Sequence, residues 1–143
     1  MMKILMAVDG SKQALKAVDS LIGHADWFKQ APEIELVTVH LPVPKLPRMR
    51  LVVGKSQLER YYQEEGDACL AAARKKLESA GVACKSRILV GRPAETIAAH
   101  ALRYGCDLIC IGTHGRGPLG NVVLGSVAMR LAQIARVPVM LVR

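Results

Sequence analysis

Short apolar runs alternate along this chain with longer stretches whose apolar residues recur at helical spacing. Residues 3–9 hold the unbroken run Ile4-Leu5-Met6-Ala7-Val8 and stop at Asp9-Gly10-Ser11, which predicts a strand followed by a turn. Residues 12–25 place Ala14, Leu15, Val18, Leu21 and Ile22 on one stripe, which predicts a helix with Ser11 as its N-cap. Ile34, Leu36, Val37 and Val39 mark a second strand over 33–40, and a second helix spans 57–80 with Gly81 as its stop. A third strand at 84–90 leads to Pro93, a residue suited to the first helical position, and Gly105 closes that helix. A fourth strand at 107–112, a helix at 126–135 and a fifth strand at 138–142 complete the pattern.

Strands that alternate with helices in this way predict an α/β protein. The expected architecture is a five-stranded open parallel sheet with helices on both faces, Rossmann-like, as a single domain over residues 1–143. Ligands of such sheets sit beyond the carboxyl ends of the strands, where the strand order reverses. With the first strand beside the fourth, Asp9 and Gly112 meet at that crevice. Residues 41–56 hold Pro42, Pro44 and Pro47 followed by Arg48 and Arg50. That is long for a connection in a compact domain, so it reads as a functional flap.

Composition narrows the classes of function. At 143 residues with 51% hydrophobic and 22% charged, the chain has the make-up of a globular protein with a real core. No apolar run approaches the roughly 20 residues of a membrane span. Asp9 interrupts the only apolar run near the start that could serve a signal peptide, so the expectation is a cytoplasmic protein with no membrane contact. One Trp, one Phe and three Tyr are too few for the stacking platform of a single-strand nucleic-acid binder. The net charge of +8 favours anions, yet the basic residues are spread along helix faces and build no arm for a duplex. No nucleic-acid partner is expected; a nucleotide is. Cys69, Cys84, Cys106 and Cys110 lack metal-ligand spacing and read as reduced, mostly buried thiols.

Half of the +8 lies between Leu108 and Arg143, where Arg116, Arg130, Arg136 and Arg143 meet no Asp or Glu. That region contains GTHGRGPLGNVVLGS, residues 112–126, between a predicted strand and a predicted helix. Bare backbone at such a junction lets N–H groups converge on a phosphate. Gly115, Gly117 and Gly120 match G-x-G-x-x-G by letter, but they follow the fourth strand and no acidic residue downstream could hold a ribose. A Walker loop is excluded because Gly120 precedes Asn121 and the loop has no lysine. The spacing that remains is Gly112-x2-Gly115-x9-Gly125-Ser126.

This spacing resembles that of the universal stress protein family, specifically its ATP-binding branch. The likeness extends to the opening ILMAVDGS, the Val39-His40 strand end, GRPAETI at 91–97 and the closing VPVMLV. The resemblance implies a sheet order of 3-2-1-4-5 and ATP as ligand, with Mg2+ or Mn2+ as its counter-ion. It also implies a stress-response or signalling role. It places Asp9 near the adenosine, Ala7 where some members have proline, and Val8 between them. Val39 matches the residue whose backbone reads the adenine edge. Ile111, Gly112, His114, Gly115, Arg116, Gly125, Ser126 and Val127 complete the implied pocket, His114 standing where some members have arginine. A homodimer through the strand at 138–142 is implied as well, and the apolar VPVMLV edge gives it a physical motive.

The residues taken by themselves leave alternatives. Ser126 could be an ordinary N-cap, and Asp9 a turn residue. His40 reads as a polar strand-end residue, with a nucleotide contact as the alternative; His24 is expected near a helix end and His100 on a polar helix side. No catalytic triad emerges. One acid and no dedicated metal carboxylate make a poor hydrolase, so the chain is expected to bind ATP with at most weak turnover. The alternatives are a slow ATP hydrolase or phosphotransfer enzyme, and a binder of another adenine nucleotide such as a cyclic one.

Overall fold

The computed structural model describes residues 1–44, 54–115 and 124–143. Five strands form one parallel sheet: β1 (Lys3–Ala7), β2 (Glu33–His40), β3 (Cys84–Val90), β4 (Leu108–Gly112) and β5 (Val139–Val142). Their order is β3-β2-β1-β4-β5. The crossovers carry α1 (Lys12–Gly23), α2 (Lys55–Ser79), α3 (Pro93–Arg103) and α4 (Ser126–Ile134). The α/β class, the open parallel sheet and its order 3-2-1-4-5 are as the sequence predicts.

Both faces of the sheet are covered, and strand periodicity sorts the core between them. Ile4 and Met6 of β1, with Ile34 and Leu36 of β2, pack against Val18 of α1 and Leu70 and Leu77 of α2. Leu5 and Ala7, one residue out of phase, pack with Val37, Ile109 and Ile111 against Ile97 of α3 and Leu131 of α4. Gly66 lets α2 lie tight on β3, since a Cβ there would meet Ile88 at 2.5 Å.

Local chemistry sets the element ends. Ser11 Oγ accepts from the Ala14 N–H at 3.2 Å, which caps α1 as its sequence suggests. β1 stops at Ala7, two residues early, because Gly10 takes a positive φ of 81° and Asp9 Oδ1 accepts from the Ser11 N–H at 2.9 Å. α1 ends at Gly23, and a 3-10 turn at Ala25–Trp27 takes over the tail of the predicted helix. α2 begins at Lys55, so its first turn occupies the end of the expected flap. Residues 45–53 of that flap lie outside the described residues.

Two side-chain expectations need correction. His100 does not lie on the polar side of its helix: it is buried, 7% exposed, with Nε2 3.1 Å from Glu35 Oε1. Glu35 also accepts from Arg87 Nε, and the Arg87 guanidinium lies 4.9 Å from the Tyr104 ring centre. A carboxylate on a two-sided sheet needs such partners, and α3 supplies one of them. Of the thiols expected to be mostly buried, Cys106 and Cys110 are buried, whereas Cys69 and Cys84 are half-buried. No helix among the described residues is long and apolar enough to cross a membrane.

Candidate functional site

The sheet reverses its winding between β1 and β4, and a cleft of about 680 Å3 opens beyond their carboxyl ends. Ala7, Val8 and Asp9 reach it from β1, Val39 from β2, and Ile111, Gly112, His114 and Gly115 from β4. Gly125, Ser126 and Val127 enter it from the start of α4. Every residue expected at the site is thereby brought to one cavity except Arg116, which lies outside the described residues.

One end of the cleft is built from bare main chain. Gly125 caps α4 with extended backbone and no side-chain cap bond, and the first turn holds no acid. The opening amides of a helix have no intrahelical partner, so those of Ser126, Val127 and Ala128 remain donors at the positive end of the helix dipole. Ser126 is therefore the first helical residue and not the cap. The Gly125 N–H is taken by the Thr113 C=O at 2.6 Å, which ties α4 to the end of β4. A Cβ on Gly125 would meet Thr113 O at 3.2 Å and His114 Cα at 3.3 Å. One on Gly115 would come within 2.7 Å of Asp9 Oδ2. Thr113 Oγ1 and His114 Nδ1 lie 3.0 Å apart.

The other end is an unfinished ladder. Glu33 donates to the Met2 C=O and Val8 donates to the Val37 C=O, each at 2.9 Å, so odd-numbered residues of β2 turn their main chain toward β1. Even-numbered ones face β3, as the Ile34-to-Ala83 and Gly91-to-His40 bonds show. The Val8–Val37 bond is the last rung between β1 and β2. The N–H and C=O of Val39 point the same way one step further on, beyond the end of β1 and at the cleft. A donor and an acceptor side by side on a strand edge can pair with the edge of a planar base.

Sequence reasoning missed part of the wall. Leu41, Glu65, Cys69, Pro93 and Ile97 also line the cleft. Pro93 and Ile97 follow the carboxyl end of β3, so topology could have found them. Glu65 and Cys69 arrive through the packing of α2, which periodicity does not reveal. The Cys69 thiol faces the Asp9 C=O at 3.5 Å. Among the described residues no group of three or more His, Cys, Asp or Glu could hold a metal ion. Asp9 and Glu65 are the carboxylates that line the cleft, and Thr38, Thr113 and Ser126 are its hydroxyls.

These elements define an open parallel α/β protein with a cleft at its switch point, set between an uncapped helix N-terminus and a free strand edge. The sequence model of the Universal stress protein family matches residues 1–143, and the chain belongs to that family. It is similar to Universal stress protein YxiE of Bacillus subtilis, at 30% identity over 99% of this chain and 98% of the relative. It is also similar to Universal stress protein MJ0531 of Methanocaldococcus jannaschii, at 33% over 99% and 81%. Among solved structures, that of MJ0577 superposes with a TM-score of 0.82 at 28% identity, covering 99% of this chain and 94% of that one. A universal stress protein in complex with cAMP shares the fold at a TM-score of 0.73 and 22% identity, over 99% and 97% of the two chains. An Arabidopsis thaliana family protein with AMP bound does so at 0.69 and 20%, over 99% and 91%.

Proposed function

We propose that residues 1–143 act as one ATP-binding universal stress protein domain, a nucleotide-dependent stress-response or signalling module. The observation that carries this reading is the pairing of two main-chain sites across one cleft. The uncapped α4 N-terminus suits phosphate oxygens, and the Val39 edge suits the adenine. Gly112, Gly115 and Gly125 keep side chains away from the phosphates, and the Ser126 hydroxyl donates to them. Asp9 takes the ribose side, with Ala7, Val8, Ile111 and Val127 as apolar walls. Mg2+ or Mn2+ would accompany the triphosphate, with Asp9 or Ser126 as the residues that would help its own oxygens hold the cation.

The reading is of binding with negligible turnover. Hydrolysis needs an oriented water and charge stabilisation in the transition state. At its phosphate end the described cleft sets the Thr113 hydroxyl 3.0 Å from the His114 ring, and among the described residues no group of three or more His, Cys, Asp or Glu stands there to hold a metal. ATP turnover in purified protein is expected at background; a rate clearly above it and abolished by Ser126→Ala would make the chain an enzyme instead. The AMP and cAMP complexes of relatives favour a second reading, in which another adenine nucleotide is the resident ligand. Mass spectrometry of the small molecule released from freshly purified protein separates them: ATP supports the first, AMP or a cyclic nucleotide the second.

The partner surface is the open edge of β5. Leu141 is exposed, and β5 is paired only with β4 among the described residues. The reading is a two-fold homodimer with antiparallel β5 pairing.

A further inference from the structure

His40 closes the base end of the cleft, and its surroundings fix both the ring and its tautomer. Nδ1 lies 2.6 Å from the Leu41 C=O. A carbonyl only accepts, so Nδ1 carries the proton, and in the neutral ring Nε2 is then an acceptor only. The ring stands edge-on to Tyr61, with centres 5.4 Å apart, and to Tyr62, at 5.1 Å. Tyr62 is itself held, its hydroxyl accepting from the Val43 N–H at 2.8 Å. Two of the chain's three tyrosines thus serve to position one imidazole. Nε2 has no hydrogen-bond partner among the described residues, and His40 lines the cleft one residue beyond Val39.

The Val39 edge reads only one of the two protons on the amine of a 6-aminopurine. Its C=O accepts that proton and its N–H donates to N1, a pairing that a 6-oxopurine meets with both polarities reversed. The second amino proton is left to a neighbouring group, which adds to the discrimination if it has one polarity. A fixed acceptor rewards an amino group and repels a carbonyl oxygen, which is the condition under which a polar site discriminates most strongly.

We propose that His40 is a specificity-determining residue: its Nε2 accepts the second proton of the 6-amino group and so selects 6-aminopurine over 6-oxopurine nucleotides. This rests on the nucleotide reading of the cleft given above. The test is calorimetric titration of ATP, inosine triphosphate and purine riboside triphosphate, which lacks only the amine. The proteins are the wild type, His40→Phe and His40→Gln, with circular dichroism as the check on folding. The wild type should bind ATP at least about thirtyfold tighter than inosine triphosphate, as expected when polar groups of a site lose their partners on the base. His40→Phe keeps the aromatic packing and should lose about tenfold in ATP affinity with little change for purine riboside triphosphate. His40→Gln, whose amide both donates and accepts, should narrow the gap between ATP and inosine triphosphate about tenfold, leaving the share set by the Val39 edge. Equal losses for ATP and purine riboside triphosphate, or an unchanged ATP preference in both variants, would overturn the proposal while leaving the nucleotide site intact. Absence of all nucleotide binding in the wild type would remove the underlying reading as well.

Discussion

Gly125 and Gly115 are the residues at which the account is most sensitive to a single atom. The Cβ of Gly125→Ala would meet main-chain atoms at 3.2 and 3.3 Å, which have no flexible end to yield. It would also tilt the α4 amides away from the cleft. ATP affinity should fall at least about tenfold, or roughly 1.4 kcal/mol, with little change in thermal unfolding. Gly115→Val should abolish binding, because the new side chain pushes Asp9 and fills the space meant for phosphate. Thermal shift with and without ATP separates these effects from loss of fold. The glycine spacing was legible because main-chain approach demands glycine at particular intervals. Glu65 and Cys69 were not, because which residues of a 25-residue helix face a cleft depends on how that helix docks. Here Gly66 sets the docking against Ile88.

Among the elements, the β2–α3 contact shows where sequence periodicity stops. A histidine in a helix and a glutamate in a strand each read as surface polar groups, and only their pairing across 65 positions reveals a buried site. A clue was present, since a strand buried on both faces leaves Glu35 no route to water. Burial alone would raise the Glu35 carboxyl. Hydrogen bonds from His100 and Arg87, aided by the charges of these two residues, outweigh it and hold the carboxyl below its ordinary 4.5. A carboxylate held down in the folded state stabilises fully above the unfolded value and loses that contribution as pH falls through the folded one. Glu35→Gln should therefore cost about 1–3 kcal/mol at neutral pH. The gap from wild type should begin to narrow below the ordinary 4.5 and close under the depressed folded value. Urea unfolding of both proteins across that range measures it. A gap that is constant with pH would mean the carboxyl is not ionised when folded.

At the scale of the whole molecule, the sheet order and the two helical layers followed from the alternation of patterns and the family resemblance, because a parallel sheet needs crossovers of this length. Association was less legible, as an apolar edge names a liability without naming its partner. The two-fold β5 pairing predicts light scattering at twice the 15.5 kDa chain mass. Leu141→Lys should return it to the monomer while leaving ATP binding in place, since Leu141 does not line the cleft. A wild-type monomer at micromolar concentration would contradict the dimer alone. The central claim is the nucleotide cleft, and calorimetric titration of the purified, nucleotide-stripped protein with ATP tests it most directly. The account predicts one saturable site per chain with a dissociation constant near or below about 1 μM, some −8 kcal/mol. No saturable heat from ATP, ADP, AMP or cyclic AMP up to about 1 mM would contradict it.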